Sequence, residues 1–213
     1  MTQLGRIEFS QNGGRVFTDA LDNSGGVDMS DHEVNLKILM QDLLAQGRLK
    51  SMKERNHLLK KIGDDVAFHV LRTNYLQALS VSMDHQRSVQ NPYPYISAIN
   101  FLEEKGILLR NQEFIPDNEA LLEGKKNGLA RPILAVLLGY VKMYLYQRLL
   151  EDESFNPERF APVLYSYFPP ELVKKYKDAL DRHKLKNEIT TTVMTNNFIN
   201  ILGASALFEI SRE

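Results

Sequence analysis

Between Asn23 and Asn35 the chain reads NSGGVDMSDHEVN, which gathers Asp28, Ser30, Asp31, His32, Glu33 and Asn35 beside the Gly25-Gly26 pair. A helix that starts here presents free backbone amides and the positive end of its dipole, a combination that favours a carboxylate or phosphate ligand. Gly25 and Gly26 let such a ligand approach the backbone closely. The same residues also suit a plainer role. Ser30 and Glu33 form an S-x-x-E capping box, in which each side chain satisfies an amide at the helix start, and Asp31 complements the dipole. Capping and ligand contact are compatible at one helix start, so the residues leave both open.

Metal chemistry fits this window poorly. His32-Glu33 is followed by Leu36 where an H-E-x-x-H zinc motif needs histidine, and His57, His69, His85 and His183 stand at no ligand spacing from it. No metal site is expected, with Asp28, Asp31, His32 and Glu33 the residues considered. His69, among apolar neighbours, reads as a satisfied interior histidine. The basic residues from Lys50 to Lys61 and from Lys174 to Lys186 are interleaved with Glu54, Glu171, Asp178, Asp181 and Glu188 and read as solvated faces. Tyr140, Tyr144, Tyr146, Tyr165, Tyr167 and Phe168 read as packing residues. There is no G-x-G-x-x-G, no phosphate-binding G-x-x-x-x-G-K-[ST] and no nucleophile elbow, so a complete dinucleotide-binding domain cannot be drawn from the chain.

The elements that must position the window are helical. Arg6–Ser10 and Arg15–Asp19 carry strand-forming residues around Asn12-Gly13-Gly14, which reads as a β-hairpin, followed by the glycine-rich loop of residues 22–26. From Ser30 onward the apolar period is helical. One helix ends at Gly47; a second opens with the Ser51/Glu54 box and ends at Gly63; a third covers Asp65 to Asp84. Pro92 and Pro94 open a fourth that closes at Gly106, and residues 106–116 are irregular. After a short helix near Asn118 to Lys125, Arg131-Pro132 starts the most apolar helix, expected at the centre of the core. Pro157 and Pro162 bracket a short helical piece, Pro169-Pro170 starts another, and a last helix begins near Leu185. The expected class is all-α, an antiparallel multi-helix bundle with a small N-terminal hairpin appendage over residues 1–29 and a helical domain over 30–213, with a sub-boundary near 107–116.

The bulk numbers agree. The chain has 213 residues, of which 43% are hydrophobic and 25% charged, with a net charge of -1. That balance suits a globular protein and gives no electrostatic pull toward nucleic acid or anionic lipid. There is no cysteine, which excludes disulfides, thiolate metal sites and a cysteine nucleophile. No leader-like apolar stretch opens the chain, and the apolar window from Ile133 to Tyr146, about 14 residues with Lys142 inside, is short of the roughly 20 that span a bilayer. A cytoplasmic protein without membrane or nucleic-acid partners is expected.

Three segments carry a resemblance. GRIEFSQNGGRVFTDALDNSGGVDMSDHEVNLKIL, GLARPILAVLLGYVK and, more loosely, YFPPEL with HKLKNEI resemble the large bacterial NAD-specific glutamate dehydrogenases, from about Gly5 to Gly203. The resemblance implies a fragment comprising the tail of the dinucleotide-binding domain and the helical region beyond it. In the parent, L-glutamate is oxidatively deaminated to 2-oxoglutarate and ammonia, with NAD taking the hydride. Asn23-Ser24-Gly25-Gly26-Val27-Asp28-Met29-Ser30 is similar to the N-A-G-G-V-x-x-S loop of the small glutamate dehydrogenases, with Ser24 in place of alanine. That similarity implies Asn23 near the nicotinamide ribose, and Val27 and Ser30 facing substrate, the Ser30 hydroxyl on a glutamate carboxylate. The lysines, the catalytic aspartate and the phosphate-binding loop would lie in the rest of the parent. The chain alone is therefore expected to be inactive and without bound NAD, with the remaining parent chain as its partner and a homo-oligomer as the parent's state. The alternative is a non-catalytic helical interaction or oligomerisation module.

Overall fold

The structure is a computed structural model, and it describes residues 1–123, 127–152 and 155–206. Among these it is helical throughout, with no strand, as the all-α reading expects. The elements are α1 (Gln3–Gln11), α2 (Asp19–Asp22), α3 (Ser24–Ala45), α4 (Met52–Gln90), α5 (Tyr93–Glu104), α6 (Arg110–Glu113), α7 (Asn118–Glu123), α8 (Arg131–Glu151), a 3-10 turn (Pro157–Phe160), α9 (Ala161–Tyr167), α10 (Pro170–Asp181) and α11 (Lys186–Leu202).

The N-terminal hairpin is not there. Arg6–Ser10 lies in α1, which Thr2 caps by accepting a hydrogen bond from the Gly5 amide at 3.2 Å. Asn12-Gly13-Gly14 ends that helix instead of turning a hairpin. Gly13 takes a φ of 88°, the Gly13 amide donates to Ser10 O at 3.1 Å and the Gly14 amide to Phe9 O at 2.9 Å. This pair of bonds satisfies carbonyls that a helix end would otherwise leave bare. Arg6, buried on α1, adds ion pairs to Asp19 and Asp22 and a 3.0 Å bond to Phe17 O, which tie the helix to the segment beyond it. The positive backbone angle that a hairpin turn requires is the same one a helix terminus requires, so the glycines fit either.

Two further stops are where the sequence puts them. At Gly47 (φ 69°) the Arg48 amide reaches Leu43 O at 2.9 Å, and at Gly106 (φ 68°) the Ile107 amide reaches Leu102 O at 2.9 Å. The Ser51 box also forms, with the Glu54 amide donating to Ser51 Oγ at 3.2 Å. Gly63, by contrast, ends nothing. The second and third expected helices are one, α4, which runs through it. Its backbone is helical there, and nothing lies within 4 Å of where a Cβ would stand. The irregular stretch after Gly106 contains the one-turn helix α6, which Phe114 closes in a left-handed conformation (φ 56°).

The chain divides into two compact units. Unit 1 comprises residues 1–23, 75–145 and 196–213, and unit 2 residues 24–74 and 146–195. Residues 29 and 30, the expected domain boundary, are neighbours inside α3. In unit 1, residues 132–138 of α8 are buried on every side and meet Ile99 and Leu102 of α5 and Ile7 of α1, so α8 is the central helix. At 21 residues α8 is also long and apolar enough to cross a bilayer by those two measures. In unit 2, Leu36, Leu39, Met40 and Leu43 of α3 share a core with Leu58, Ile62, Val66 and Val70 of α4 and with Leu164, Phe168 and Leu180. The i, i+3, i+4, i+7 spacing on α3 and the i, i+4 spacing on α4 put each set on one stripe. Burying one such leucine is worth about 1.5–3 kcal/mol, so these stripes fix how α3 lies.

Candidate functional site

Helix α3 begins earlier than the capping box suggests. Ser24, Gly25 and Gly26 are its first three residues, and Ser24 Oγ accepts a hydrogen bond from Asn74 Nδ2 at 2.7 Å. Neither Gly25 nor Gly26 uses a positive φ, and a Cβ on Gly25 would make only ordinary contact, 3.8 Å from Val70 Cγ1. Ser30 is therefore a second-turn residue and does not cap. Its Oγ donates back to Gly26 O at 3.1 Å, while Glu33 pairs with Lys37. The reason is local: a serine inside a helix can turn its hydroxyl back to the carbonyl four residues before it without ending the helix.

The window splits between two faces of α3. Val27 and Ser30, three residues apart, are exposed, whereas His32, Asn35 and Leu36 are buried. Asn23 is exposed in unit 1, at the C-terminal end of α2. The structure thus sets Val27 and Ser30 on one solvent-facing strip.

The inner face carries a polar network that the sequence did not announce. The His32 ring stacks on Tyr167 with centroids 4.1 Å apart and planes 17° apart, and His69 of α4 stands 6.0 Å from it. The Tyr167 hydroxyl accepts from Asn35 Nδ2 at 2.9 Å and donates to Asp31 Oδ2 at 2.8 Å. His69 Nδ1 donates to Tyr167 O at 3.3 Å, so the ring is satisfied as expected, but the residue is half-buried and not interior. His183 accepts the Leu185 amide on Nδ1 and donates from Nε2 to Asn35 O at 3.1 Å, which fixes its tautomer.

Burial dominates the electrostatics. It pushes the His32 pKa down to about 4, helped by His69 and opposed by Asp31. Asp28 stands 3.9 Å away, at the edge of pairing distance, and does not reverse this. His183 is lowered by burial as well, and Tyr167 is raised, first by burial. A neutral His32 with so little basicity is a poor proton acceptor near pH 7. Two buried atoms, His32 Nδ1 and Asn35 Oδ1, have no hydrogen-bond partner among the described residues. Among those residues, too, no three potential metal ligands converge. The network joins α3 to Tyr167 and His183, and Val27 and Ser30 stand on the exposed side of the helix.

Sequence reasoning read Tyr167 as packing and gave His183 no role. One signal was available, since both lie in the YFPPEL and HKLKNEI segments that carried the looser resemblance.

Residues 1–84 match the family described as "Bacterial NAD-glutamate dehydrogenase, catalytic domain", and residues 126–213 match "Glutamate dehydrogenase, C-terminal". The NAD-specific glutamate dehydrogenase of Pseudomonas aeruginosa is 40% identical over 205 residues, covering 95% of this chain and 13% of the relative. The Halomonas elongata protein of the same name is 37% identical with the same coverage. That of Mycobacterium tuberculosis is 35% identical over 215 residues, covering 100% of this chain and 13% of the relative. The chain spans about 13% of the length of the curated relatives it matches. It belongs to the family of bacterial NAD-specific glutamate dehydrogenases.

Proposed function

We propose that this chain serves an NAD-dependent glutamate dehydrogenase as one wall of the substrate site, and that the chemistry needs residues outside it. The observation that carries the reading is 40% identity over 205 residues to a protein of that name. NAD would take the hydride from L-glutamate, with 2-oxoglutarate and ammonia as the other products. The described residues do not fit NAD by themselves: they contain no strand, Gly25 and Gly26 are spent inside a helix, and Asn23 stands alone and exposed.

What the chain's own residues supply is a strip of α3. Val27 offers an apolar contact and Ser30 a hydroxyl, both open to solvent three residues apart. The Ser30 hydrogen, now given to Gly26 O, turns to a glutamate carboxylate when substrate arrives. Behind the strip, the Tyr167 network sets the rotation of α3. The remaining parent chain, and an assembly of parent subunits, complete the site.

The test compares glutamate oxidation by an enzyme of the relatives' length carrying this segment with its Ser30→Ala form. A raised KM for glutamate with an unchanged KM for NAD supports the reading. Unchanged kinetics for both substrates removes Ser30 from the site. Glutamate-dependent NADH formation by the purified 213-residue chain would overturn the claim that it needs the rest.

A further inference from the structure

In unit 1, Arg15 and Arg131 line one open cavity of about 570 Å³, together with Asn12, His85, Gln86 and Asn127. No carboxylate is among its described lining residues. Neither guanidinium has an ion pair or a hydrogen bond to any described residue, although other arginines do: Arg6 pairs with Asp19 and Asp22, Arg48 with Asp178, and Arg110 with Glu103.

The two cations are held where they oppose each other. Burial lowers the Arg131 pKa, and the positive Arg15 lowers it further, so the pair is close enough to feel its own repulsion. Arg131 is moreover the first residue of α8, at the helix end where a positive side chain is disfavoured. Arg15 follows a turn whose left-handed residue, Gly13, favours glycine. Gly13 has a φ of 88°, and a Cβ on Gly14 would lie 2.2 Å from the Phe9 ring. A cavity lined by two guanidinium groups, with no carboxylate among its described lining residues, suits an anion from solution. His85 Nδ1 is committed to Leu129 O at 2.8 Å, which holds that ring in the wall. A second, more apolar cavity of about 290 Å³ shares Ser10, Gln11, His85 and Asn127 with the first and adds Leu129 and Ile133, which gives room for a carbon skeleton.

We propose that Arg15 and Arg131 form a binding site for a small doubly charged oxyanion, a phosphate monoester or a dicarboxylate, with its carbon part toward Leu129 and Ile133. Two guanidinium forks match two oxyanion edges, the geometry in which arginine surpasses lysine. The site is independent of the dehydrogenase reading and of Ser30.

The experiment titrates the 213-residue chain with inorganic phosphate and, separately, with succinate, at constant ionic strength set by chloride, and follows backbone amide resonances. The expected result is a saturable shift at Gly13, Gly14, Arg15 and Arg131 with at least one probe. Arg15→Gln and Arg131→Gln should each weaken it about tenfold or more, while Arg15→Lys weakens it less. Saturation by phosphate alone identifies the phosphate monoester, and saturation by succinate identifies the dicarboxylate. No saturable shift with either probe overturns the proposal. So does an affinity unchanged in Arg15→Gln, which alters an exposed side chain and so tests the site even if Arg131→Gln unfolds.

Discussion

The imidazole of His32 lies face to face with the phenol of Tyr167, 4.1 Å between centroids, in a pocket that leaves His32 only 3% exposed. Burial favours the neutral ring and His69 adds to it; Asp31 opposes the shift without reversing it, and Asp28 stands at 3.9 Å, the edge of pairing distance.

That relationship makes the fold acid-sensitive. His32 falls from its usual 6.5 to about 4 in the folded chain, so between those values the unfolded chain binds the extra proton. A depressed histidine contributes stability above the unfolded value and loses it as pH falls toward the folded one. The loss from His32 is on the order of 3 kcal/mol between pH 6.5 and pH 4. His183 is shifted in the same direction. Urea unfolding at stepped pH should show this slope, and His32→Phe, which keeps a ring on Tyr167 but no titration, should flatten it. An identical slope in the variant would show that His32 does not carry the effect.

The Tyr167 hydroxyl joins two residues of α3, accepting from Asn35 and donating to Asp31. Tyr167→Phe keeps the ring and the stack but removes the one hydrogen bond that the buried Asn35 side chain makes to a described residue, since Asn35 Oδ1 already lacks one. Leaving such a group unsatisfied costs about 1–3 kcal/mol. The urea midpoint should drop accordingly with the slope unchanged. A midpoint equal to wild type would mean that water replaces the hydroxyl and that the network does not position α3.

Unit 1 has its own buried anchor. Asp84, 0% exposed, accepts from the Tyr95 hydroxyl at 2.9 Å, the Ala204 amide at 2.8 Å and Arg87 at 3.1 Å. Burial raises its pKa while those three bonds hold it down. Asp84→Ala takes the acceptor from the buried Ala204 amide and the carboxylate from the Tyr95 hydroxyl, and by the cost of breaking a buried polar network should lose about 3–5 kcal/mol. Gly203→Ala should also destabilise. Gly203 has a φ of 92°, and its Cβ would lie 2.2 Å from Asp84 Oδ1. Thermal unfolding of both variants checks this; a wild-type midpoint for Asp84→Ala would deny the anchor.

How legible each element was depends on whether its signal had one meaning. Arg131-Pro132 and Pro169-Pro170 open helices because a proline without an amide costs nothing in the first turn, and few other structures use it so. Asn12-Gly13-Gly14 had two meanings, a hairpin turn or a helix end, and the choice fell to Ile7, which α1 buries in the unit 1 core. The S-x-x-E pair at Ser30 and Glu33 also had two, a helix start or a stretch of helix interior, and with α3 beginning at Ser24 the Ser30 hydroxyl bonds Gly26 O and Glu33 pairs with Lys37. The partners of His32 were out of reach for a different reason. Tyr167 lies far along the chain from His32, and no local period connects them.

Gly63 and Gly47 give the last expectation, because one sequence signal met two backbones. Both were read as helix stops; only Gly47 is one. Gly63 is exposed inside α4, with helical backbone angles and nothing within 4 Å of its would-be Cβ. Replacing it by alanine removes freedom from the unfolded chain and adds no clash, so Gly63→Ala should stabilise the protein by about 0.5–1 kcal/mol. Gly47 holds a φ of 69° while its amide and the next satisfy two carbonyls of α3. There an alanine has equal space but must take a left-handed backbone, so Gly47→Ala should destabilise by about 1 kcal/mol. Paired urea titrations read both signs at once. Should Gly63→Ala destabilise instead, α4 would have to bend or break at that glycine in solution, and the two shorter helices that the sequence suggested would be restored.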